Sequence, residues 1–286
     1  MIRRSLPELG RCLVVAACGF GPASLNAQAA AEAGPGVLSE PSSYDAGWIP
    51  SPLTIDGVLD ELEWRRAVAT EAFQDIRGPG YPVPTWDTRV RILWDRENLY
   101  VGAVLEEPHL WGTLTDRDAI IYHDHDFEIF VDPDGDGEAY FELEVNVLGT
   151  EFDLFLDRPY SQGGRAHIDW DFVGLRTAVA VQGTVNDATD TDRGWTVEVA
   201  IPWSAFVSPD GGVRHDPPVA GEVWRLNFSR VQWPLRRVAG GGYERAAEPS
   251  FEVHHEDNWV WSAQGEINMH IPERWGFVRF IERKEP

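Results

Sequence analysis

Apolar and polar residues alternate along residues 140–147, and this pattern constrains the fold more than any other feature of the chain. The two kinds of residue separate onto opposite faces: Phe141, Leu143 and Val145 against Glu142, Glu144 and Asn146. A repeat of two residues is typical of a β-strand, because successive side chains of a strand point to opposite sides of the sheet. The sequence therefore predicts a strand here, with a polar face that carries two carboxylates and an amide.

Nine further segments are predicted to be strands, because turns rich in Gly, Pro, Asn and Asp separate them. They span residues 89–94, 99–105, 127–131, 151–156, 175–181, 195–201, 223–231, 258–261 and 276–281. Helical spacing occurs only in residues 60–68, where Leu62, Trp64 and Ala67 can share one side. We therefore expect an all-β domain, an antiparallel β-sandwich with one short N-terminal helix.

The chain is strongly acidic, since 47 Asp and Glu residues against 24 Lys and Arg residues give a formal charge of −23 at pH 7. A surface of this kind repels phosphate backbones and anionic lipids. The charge therefore argues against nucleic-acid binding and against docking on a membrane surface.

Residues 1–29 have the pattern of a secretory signal peptide. The stretch begins with three arginines and ends on a small-residue cleavage pattern: Arg3, Arg4 and Arg11, then Ala27, Gln28 and Ala29. The apolar part is too short to span a membrane. We therefore expect an exported protein, in the periplasm or outside the cell. A disordered alanine-rich tail and a lipoprotein attached through Cys18 are the alternatives.

Cleavage after residue 29 would remove Cys12 and Cys18, the only cysteines, so the mature chain would have no disulfide. Residues 30–52 are rich in Ala, Gly, Pro and Ser and are predicted to be a flexible linker. Residues 53–283 then form one domain. Its longest irregular stretch, residues 234–257, is a candidate binding loop or an ordinary insertion.

The segment that contains Asp132, Asp134 and Asp136 resembles the start of a calcium-binding loop. It has oxygen ligands at every second residue and glycines for a sharp turn. A helix–loop–helix calcium motif would need a glutamate at its twelfth position, which is Leu143, and helices on both sides. That motif is rejected. Two interpretations remain, a structural calcium site between strands or a solvated turn rich in Asp and Gly.

His123 and His125 are two residues apart, so on an extended segment they would share a face that could bind zinc. No third ligand is specified nearby, and structural or solvated histidines are the favoured interpretation. Strand carboxylates such as Glu128 also allow a pair of the kind that glycoside hydrolases use. Among 47 acidic residues such a pair carries little weight, so the sequence gives no independent case for catalysis.

Five stretches together resemble the family 9 carbohydrate-binding modules. These are LTIDGVLDELEW at 53–64, RILWDRENLYV at 91–101, FEIFVD at 127–132, GWTVEVAIPW at 194–203 and WGF at 275–277. The resemblance implies a DOMON-like β-sandwich of two curved sheets that binds plant polysaccharides such as xylan or cellulose without catalysis. It also implies structural calcium ions and an association with glycoside hydrolases.

The resemblance also implies a sugar site with two tryptophans, a glutamate, an arginine and an asparagine. By position, Tyr122 stands for the first tryptophan, and Glu128 and Asn146 match the glutamate and the asparagine. The arginine position holds Glu144 and the second tryptophan position holds Met269. Because two of the five positions depart from the family pattern, the resemblance does not imply which sugar is bound.

A pyranose offers an apolar C–H face and a ring of hydroxyls, so a sugar site needs aromatic faces and planar polar groups. Candidate aromatic residues besides Tyr122 are Trp233, Trp259 and Trp261, whereas tryptophans within hydrophobic alternation are assigned to the core: Trp64, Trp94, Trp195 and Trp275. The predicted carbohydrate site comprises Tyr122, Glu128, Asn146, Asn227, Arg230, Trp261 and Met269. An alternative from another class is a DOMON-like haem or redox carrier, with Met269 or His270 as one axial ligand and a partner such as His123 or His125 as the other.

Overall fold

The computed structural model describes residues 36–250 and 253–282. The predicted signal peptide, with Cys18, lies outside the described residues. The strands are β1 (Ser43–Trp48), β2 (Gln74–Asp75), β3 (Thr88–Trp94), β4 (Asn98–Glu106), β5 (Asp126–Asp132), β6 (Tyr140–Asn146), β7 (Glu151–Leu156), β8 (Ala166–His167), β9 (Arg176–Gln182), β10 (Gly194–Pro202), β11 (Val223–Gln232), β12 (Leu235–Arg237), β13 (Tyr243–Arg245), β14 (Asp257–Val260) and β15 (Gly276–Ile281). Short 3-10 turns span Ile121–His123, Tyr160–Gln162, Trp203–Ala205 and Pro272–Arg274.

All ten predicted strands are present as β3 to β7, β9 to β11, β14 and β15, and each boundary differs by at most one residue. The period-two pattern located them well, because all but β9, which has no fully buried residue, have a buried face that selects apolar residues. β1, β2, β8, β12 and β13 were not predicted. Four of these have only two or three residues, too few to show a period.

Thirteen strands of the described chain form one sheet, and β12 and β13 form a separate hairpin. The main path runs β8-β7-β6-β5-β11-β15-β1-β3-β4-β10-β9, while β14 pairs with β11 and β2. β1 runs parallel to both of its neighbours, β15 and β3, whereas the other pairs are antiparallel. The sheet is therefore mixed, and the prediction of a purely antiparallel architecture is wrong.

β1 lies in the segment predicted to be a flexible linker, so residues 43–48 are part of the sheet instead. Ala46 is its only buried apolar residue, and the segment shows no alternation. It is extended because its backbone pairs with β15 and β3, and both partners are remote in sequence. Local sequence therefore carries no signal for this strand.

The sheet is curled, and strands from both of its halves supply one hydrophobic core, as in a β-sandwich. β5 contributes Phe127, Ile129 and Val131, and β6 contributes Phe141, Leu143 and Val145. The four tryptophans assigned to the core are buried, as predicted: Trp64, Trp94, Trp195 and Trp275. The opposite face of β5 and β6 is also buried, because other segments cover it.

The helix α1 spans Leu62–Arg66, inside the predicted 60–68 range. It buries Trp64, whose Nε1 donates a 2.8 Å hydrogen bond to Oε1 of Glu198 on β10. Glu198 also accepts hydrogen bonds from the backbone amides of Asp56 and Gly57, so this carboxylate anchors the N-terminal segment to the sheet. Within the described residues, no helix has the length and apolar character needed to cross a bilayer.

Candidate functional site

A cavity of about 790 Å³ lies over the outer face of β5 and β6. Its apolar lining includes Phe130, Phe152, Leu154, Tyr160, Trp233 and Met269. Its polar lining includes Tyr122, Glu128, Glu142, Glu144, Asn258 and His270. A comparable cavity of about 820 Å³ beside β1 lacks buried carboxylates. The combination of an apolar wall with a few convergent polar groups is typical of a small-molecule site.

Three carboxylates from adjacent strands form the floor of this cavity. Glu128 on β5 lies directly opposite Glu144 on β6, and Glu142 lies opposite Phe130. Each of the three side chains is buried, and so is Asp126 at the start of β5. Carboxylate oxygens of Asp126, Glu128 and Glu144 all lie within 4.8 Å of one another. The floor therefore concentrates carboxyl groups where little water reaches them.

Burial shifts the titration of these groups because it disfavours the charged form. It raises the pKa of Glu128 to about 7. Burial and then the charge of Glu128 raise the pKa of Asp126, Glu142 and Glu144 well above the usual carboxylate range. The floor therefore favours a ligand that brings hydroxyl groups or positive charge.

The wall of the cavity is fixed to its floor by hydrogen bonds. The backbone amide of Tyr122 donates to Oε2 of Glu144 over 2.9 Å, and Nε1 of Trp233 donates to the Tyr122 carbonyl over 2.8 Å. On the other side, the rings of Tyr160 and His270 lie 4.6 Å apart. The aromatic residues therefore stand at set positions above the carboxylates.

Three of the predicted carbohydrate residues, Tyr122, Glu128 and Met269, line the cavity together. Tyr122 lies in the Ile121–His123 turn just before β5, and Met269 lies in the loop before β15. Their role in sugar binding stays a prediction, but the structure brings them to one place.

Asn146 and Asn227 do not line the cavity, because their side chains hold the protein together. Asn146 donates to the Leu114 carbonyl and to Asp124, and its carbonyl oxygen accepts from the amides of Leu148 and Thr150. Asn227 exchanges hydrogen bonds with the backbone of Ser262. Both side-chain amides are therefore occupied by partners within the protein and are not available to a ligand.

Arg230 and Trp261 also lie away from the cavity. Arg230 shares the core-facing side of β11 with Leu226 and Phe228, since the three are two residues apart. Trp261 packs on Phe228 in the main core. The structure therefore places both residues in the interior, away from the cavity.

The predicted site omitted several residues that do line the cavity: Glu142, Glu144, Trp233, His254 and His270. The alternation in residues 140–147 already placed Glu142 and Glu144 on one face, and that signal pointed to the floor. Residues 249, 250, 254 and 256, within the longest irregular stretch, also line the cavity. That stretch includes the β12–β13 hairpin.

The acidic turn between β5 and β6 also brings its carboxylates together, with oxygens of Asp132, Asp134 and Asp136 within 4.8 Å of one another. Asp132 is buried and accepts hydrogen bonds from the amides of Gly135 and Gly137, whereas Asp134 and Asp136 are exposed. Burial raises the pKa of Asp132 to about 7. An all-oxygen set of this kind fits calcium better than softer metals.

The candidate histidines do not form a metal centre in the described residues, where every group of three potential ligands consists of carboxylates. Nε2 of His125 lies 3.0 Å from the Trp233 carbonyl, and Nδ1 lies 3.3 Å from Glu107. His125 is therefore a structural residue. His123 and His270 line the cavity, and Nδ1 of His270 lies 3.0 Å from the Tyr140 hydroxyl.

Residues 55–215, more than half of the chain, match the family model described as carbohydrate family 9 binding domain-like. The chain belongs to this family. Comparison with curated protein sequences gives no match. The family 9 domain does resemble solved structures, at a sequence identity that supports the fold alone.

One such structure is a family 9 carbohydrate-binding module from Caldicellulosiruptor kristjanssonii in complex with cellotriose, with a TM-score of 0.54 and 15% identity over 85% of this chain and 96% of that one. A second, from the same organism in complex with glucose, has a TM-score of 0.53 and 15% identity over 86% and 98%. A protein from Bacteroides uniformis gives a TM-score of 0.60 and 15% identity over 84% and 100%.

Proposed function

We propose that this family 9 domain binds carbohydrate in the cavity over β5 and β6, without catalysing a reaction on it. The observation that carries the proposal is the arrangement of Tyr122, Trp233 and Tyr160 around a floor of carboxylates. Aromatic rings suit the apolar face of a pyranose, and carboxyl groups hydrogen-bond its hydroxyls. Complexes of similar structures with cellotriose and glucose point to the same ligand class.

Binding without hydrolysis is supported by where the floor carboxylates lie. Glu128, Glu142 and Glu144 stand on adjacent strands of one sheet face. Glycoside hydrolases instead place two carboxyl groups on either side of the scissile bond. Incubation with xylan and cello-oligosaccharides should therefore release no reducing sugar. Release that disappears in Glu128→Gln would contradict this part of the proposal.

Xylan and cellulose, or their oligosaccharides, are the proposed ligands, and glycoside hydrolases acting on them are the proposed partners. Affinity electrophoresis through gels containing each polysaccharide, with calcium present, tests the ligand class. We expect retardation by at least one of these glycans. Migration that is unchanged in every glycan would contradict carbohydrate binding.

Export and structural calcium complete the proposal. The signal-peptide pattern supports export, and expression of the full chain with mass analysis of the secreted or periplasmic product checks it. A mature chain that begins at Ala30 is the expected result. A product that keeps residues 1–29 would contradict export through this leader. The acidic turn at Asp132, Asp134 and Asp136 supports calcium binding, because its carboxylate oxygens already converge.

A further inference from the structure

The buried carboxylates Asp126, Glu128 and Glu144 have no cationic partner within the described residues. They are 0%, 5% and 3% exposed, and none of them forms an ion pair there. The group Asp118, Asp153 and Asp171 differs in this respect, because Arg117 lies among its members and pairs with each. Like charges this close in a water-poor setting repel strongly unless a counter-ion compensates them.

Hydrogen bonds from the protein hold these carboxylates while leaving ligand positions open. Oδ1 of Asp126 accepts from the Val231 amide over 3.1 Å, and Oε2 of Glu144 accepts from the Tyr122 amide over 2.9 Å. The other oxygen of Asp126, Oδ2, is buried and has no hydrogen-bond partner. A hydrogen bond that fixes one oxygen of a carboxylate also orients the other oxygen. Groups next to a metal site commonly orient the metal ligands in this way.

Glu142 supplies a second, independent observation. Its side chain lines the same cavity beside Glu128 and Glu144, and its Oε2 is buried without a hydrogen-bond partner. A buried carboxylate oxygen without a partner is costly and uncommon in folded proteins. Two such atoms among the neighbouring carboxyl groups of β5 and β6 indicate that the floor is completed by a group that accepts electron pairs.

We propose that Asp126, Glu128 and Glu144 bind a hard divalent cation of the calcium class at the floor of the cavity. The donor set consists of oxygen alone, which suits calcium and disfavours zinc or copper. The three oxygens are close enough to share one ion, and Glu142 is available as a further ligand. The cation enters through the cavity, because Glu128 and Glu144 line it.

A cation at this place would leave coordination positions directed into the cavity, where a sugar hydroxyl can complete them. This consequence rests on the proposed carbohydrate function. It predicts that a chelator weakens glycan binding in a variant, Asp134→Ala, that removes a ligand of the acidic turn. Equal glycan affinity in calcium and in chelator would contradict the proposal that the bound cation takes part in glycan binding.

Terbium, a luminescent probe for calcium sites, tests the cation site with the whole purified chain after chelator treatment. Trp233 and Tyr122 line the cavity and should sensitise emission from Tb³⁺ bound there. We expect this emission from wild type and from Asp134→Ala, which removes a ligand of the acidic turn and is the background for the variants below. In Asp126→Asn/Glu144→Gln we expect the affinity of this site for Tb³⁺ to fall at least about tenfold. A calorimetric titration with calcium should rank the cation affinities of these proteins in the same order.

Folding is checked by the melting temperature in chelator, which should stay unchanged or rise in the double variant because like charges are removed. If that variant fails to fold, the single variant Glu144→Gln takes its place, since glutamine can still accept from the Tyr122 amide. A folded variant that keeps wild-type terbium emission overturns the proposal, and so does wild type without emission. Cation binding without any glycan binding would support this site and contradict the proposed function instead.

Discussion

Arg230 on β11 and Glu107 after β4 form an ion pair of 2.8 Å in which each side chain is only 1% exposed. The guanidinium also donates to Thr88, to the Glu106 carbonyl and to Gln232. The pair lies on the core-facing side of the sheet, opposite the cavity. Arg230 therefore joins β11 to β3 and β4 and is unavailable to a sugar.

Replacing Arg230 by alanine should lower the free energy of unfolding by about 3–5 kcal/mol, because Glu107 stays buried without its guanidinium partner and is left with His125 beside it. Arg236→Ala is the matched control, since its pair with Glu244 is exposed and such pairs contribute about 0–1 kcal/mol. Urea denaturation measures both. A loss no larger than that of the control would contradict a structural role for Arg230.

Calcium in the acidic turn should raise the melting temperature relative to chelator. Mass action gives about 2.7 kcal/mol of stabilisation when free calcium is a hundred times the dissociation constant. Asp134→Ala should reduce the difference between calcium and chelator, and Asp134→Ala with Glu144→Gln should abolish it. Asp210→Ala, in another exposed turn, is the control. Identical wild-type melting curves in millimolar calcium and in chelator would contradict calcium binding at the turn.

His270 should contribute a loss of stability as pH falls from about 6.5 to 4, a trend that the raised pKa values of buried carboxylates such as Glu128 oppose. Burial lowers the pKa of His270 from its ordinary value of 6.5 to about 4. Between these values the unfolded chain binds more protons at this residue than the folded chain, so acid favours unfolding through His270. The contribution of His270 is complete above pH 6.5 and amounts to at most about 3 kcal/mol.

His270→Asn should remove this contribution, so that the free energy of unfolding of the variant relative to wild type rises as pH falls from about 6.5 to 4, because asparagine can still accept a hydrogen bond from the Tyr140 hydroxyl but does not titrate. The exposed His255→Asn is the control. Chemical denaturation at several pH values from 4 to 8 measures both slopes. A difference in unfolding free energy between His270→Asn and wild type that does not change with pH would contradict this role of His270.

The strands were predictable because their buried faces impose a period of two that a single segment displays. β1 was not, since its sequence resembles a linker and only its remote partners β15 and β3 make it extended. The mixed character of the sheet follows from that one strand. Pairing between distant segments is information that no local pattern contains.

Part of the site was predictable from the sequence, because the position of a residue along a strand determines which face of the sheet its side chain occupies. Glu128 and Glu144 are examples. Arg230 was misassigned although its spacing from Leu226 and Phe228 placed it on the core face. Asn146 and Asn227 were misassigned because their hydrogen-bond partners lie in loops whose path the sequence does not show. A polar side chain on a strand has a functional role only if the fold leaves it free.

The central claim is that the cavity over β5 and β6 binds carbohydrate, and a calorimetric titration of Tyr160→Ala with cellotriose tests it most directly. Tyr160 lines the cavity and is 50% exposed, so truncating it should leave the fold intact. Tyr81→Ala, outside the cavity, is the matched control. We predict binding by wild type and by the control, and a loss of at least about 1 kcal/mol, roughly fivefold in Kd, for Tyr160→Ala. Wild-type protein that binds cellotriose with an unchanged Kd in Tyr160→Ala, or that gives no heat with it, would contradict the claim.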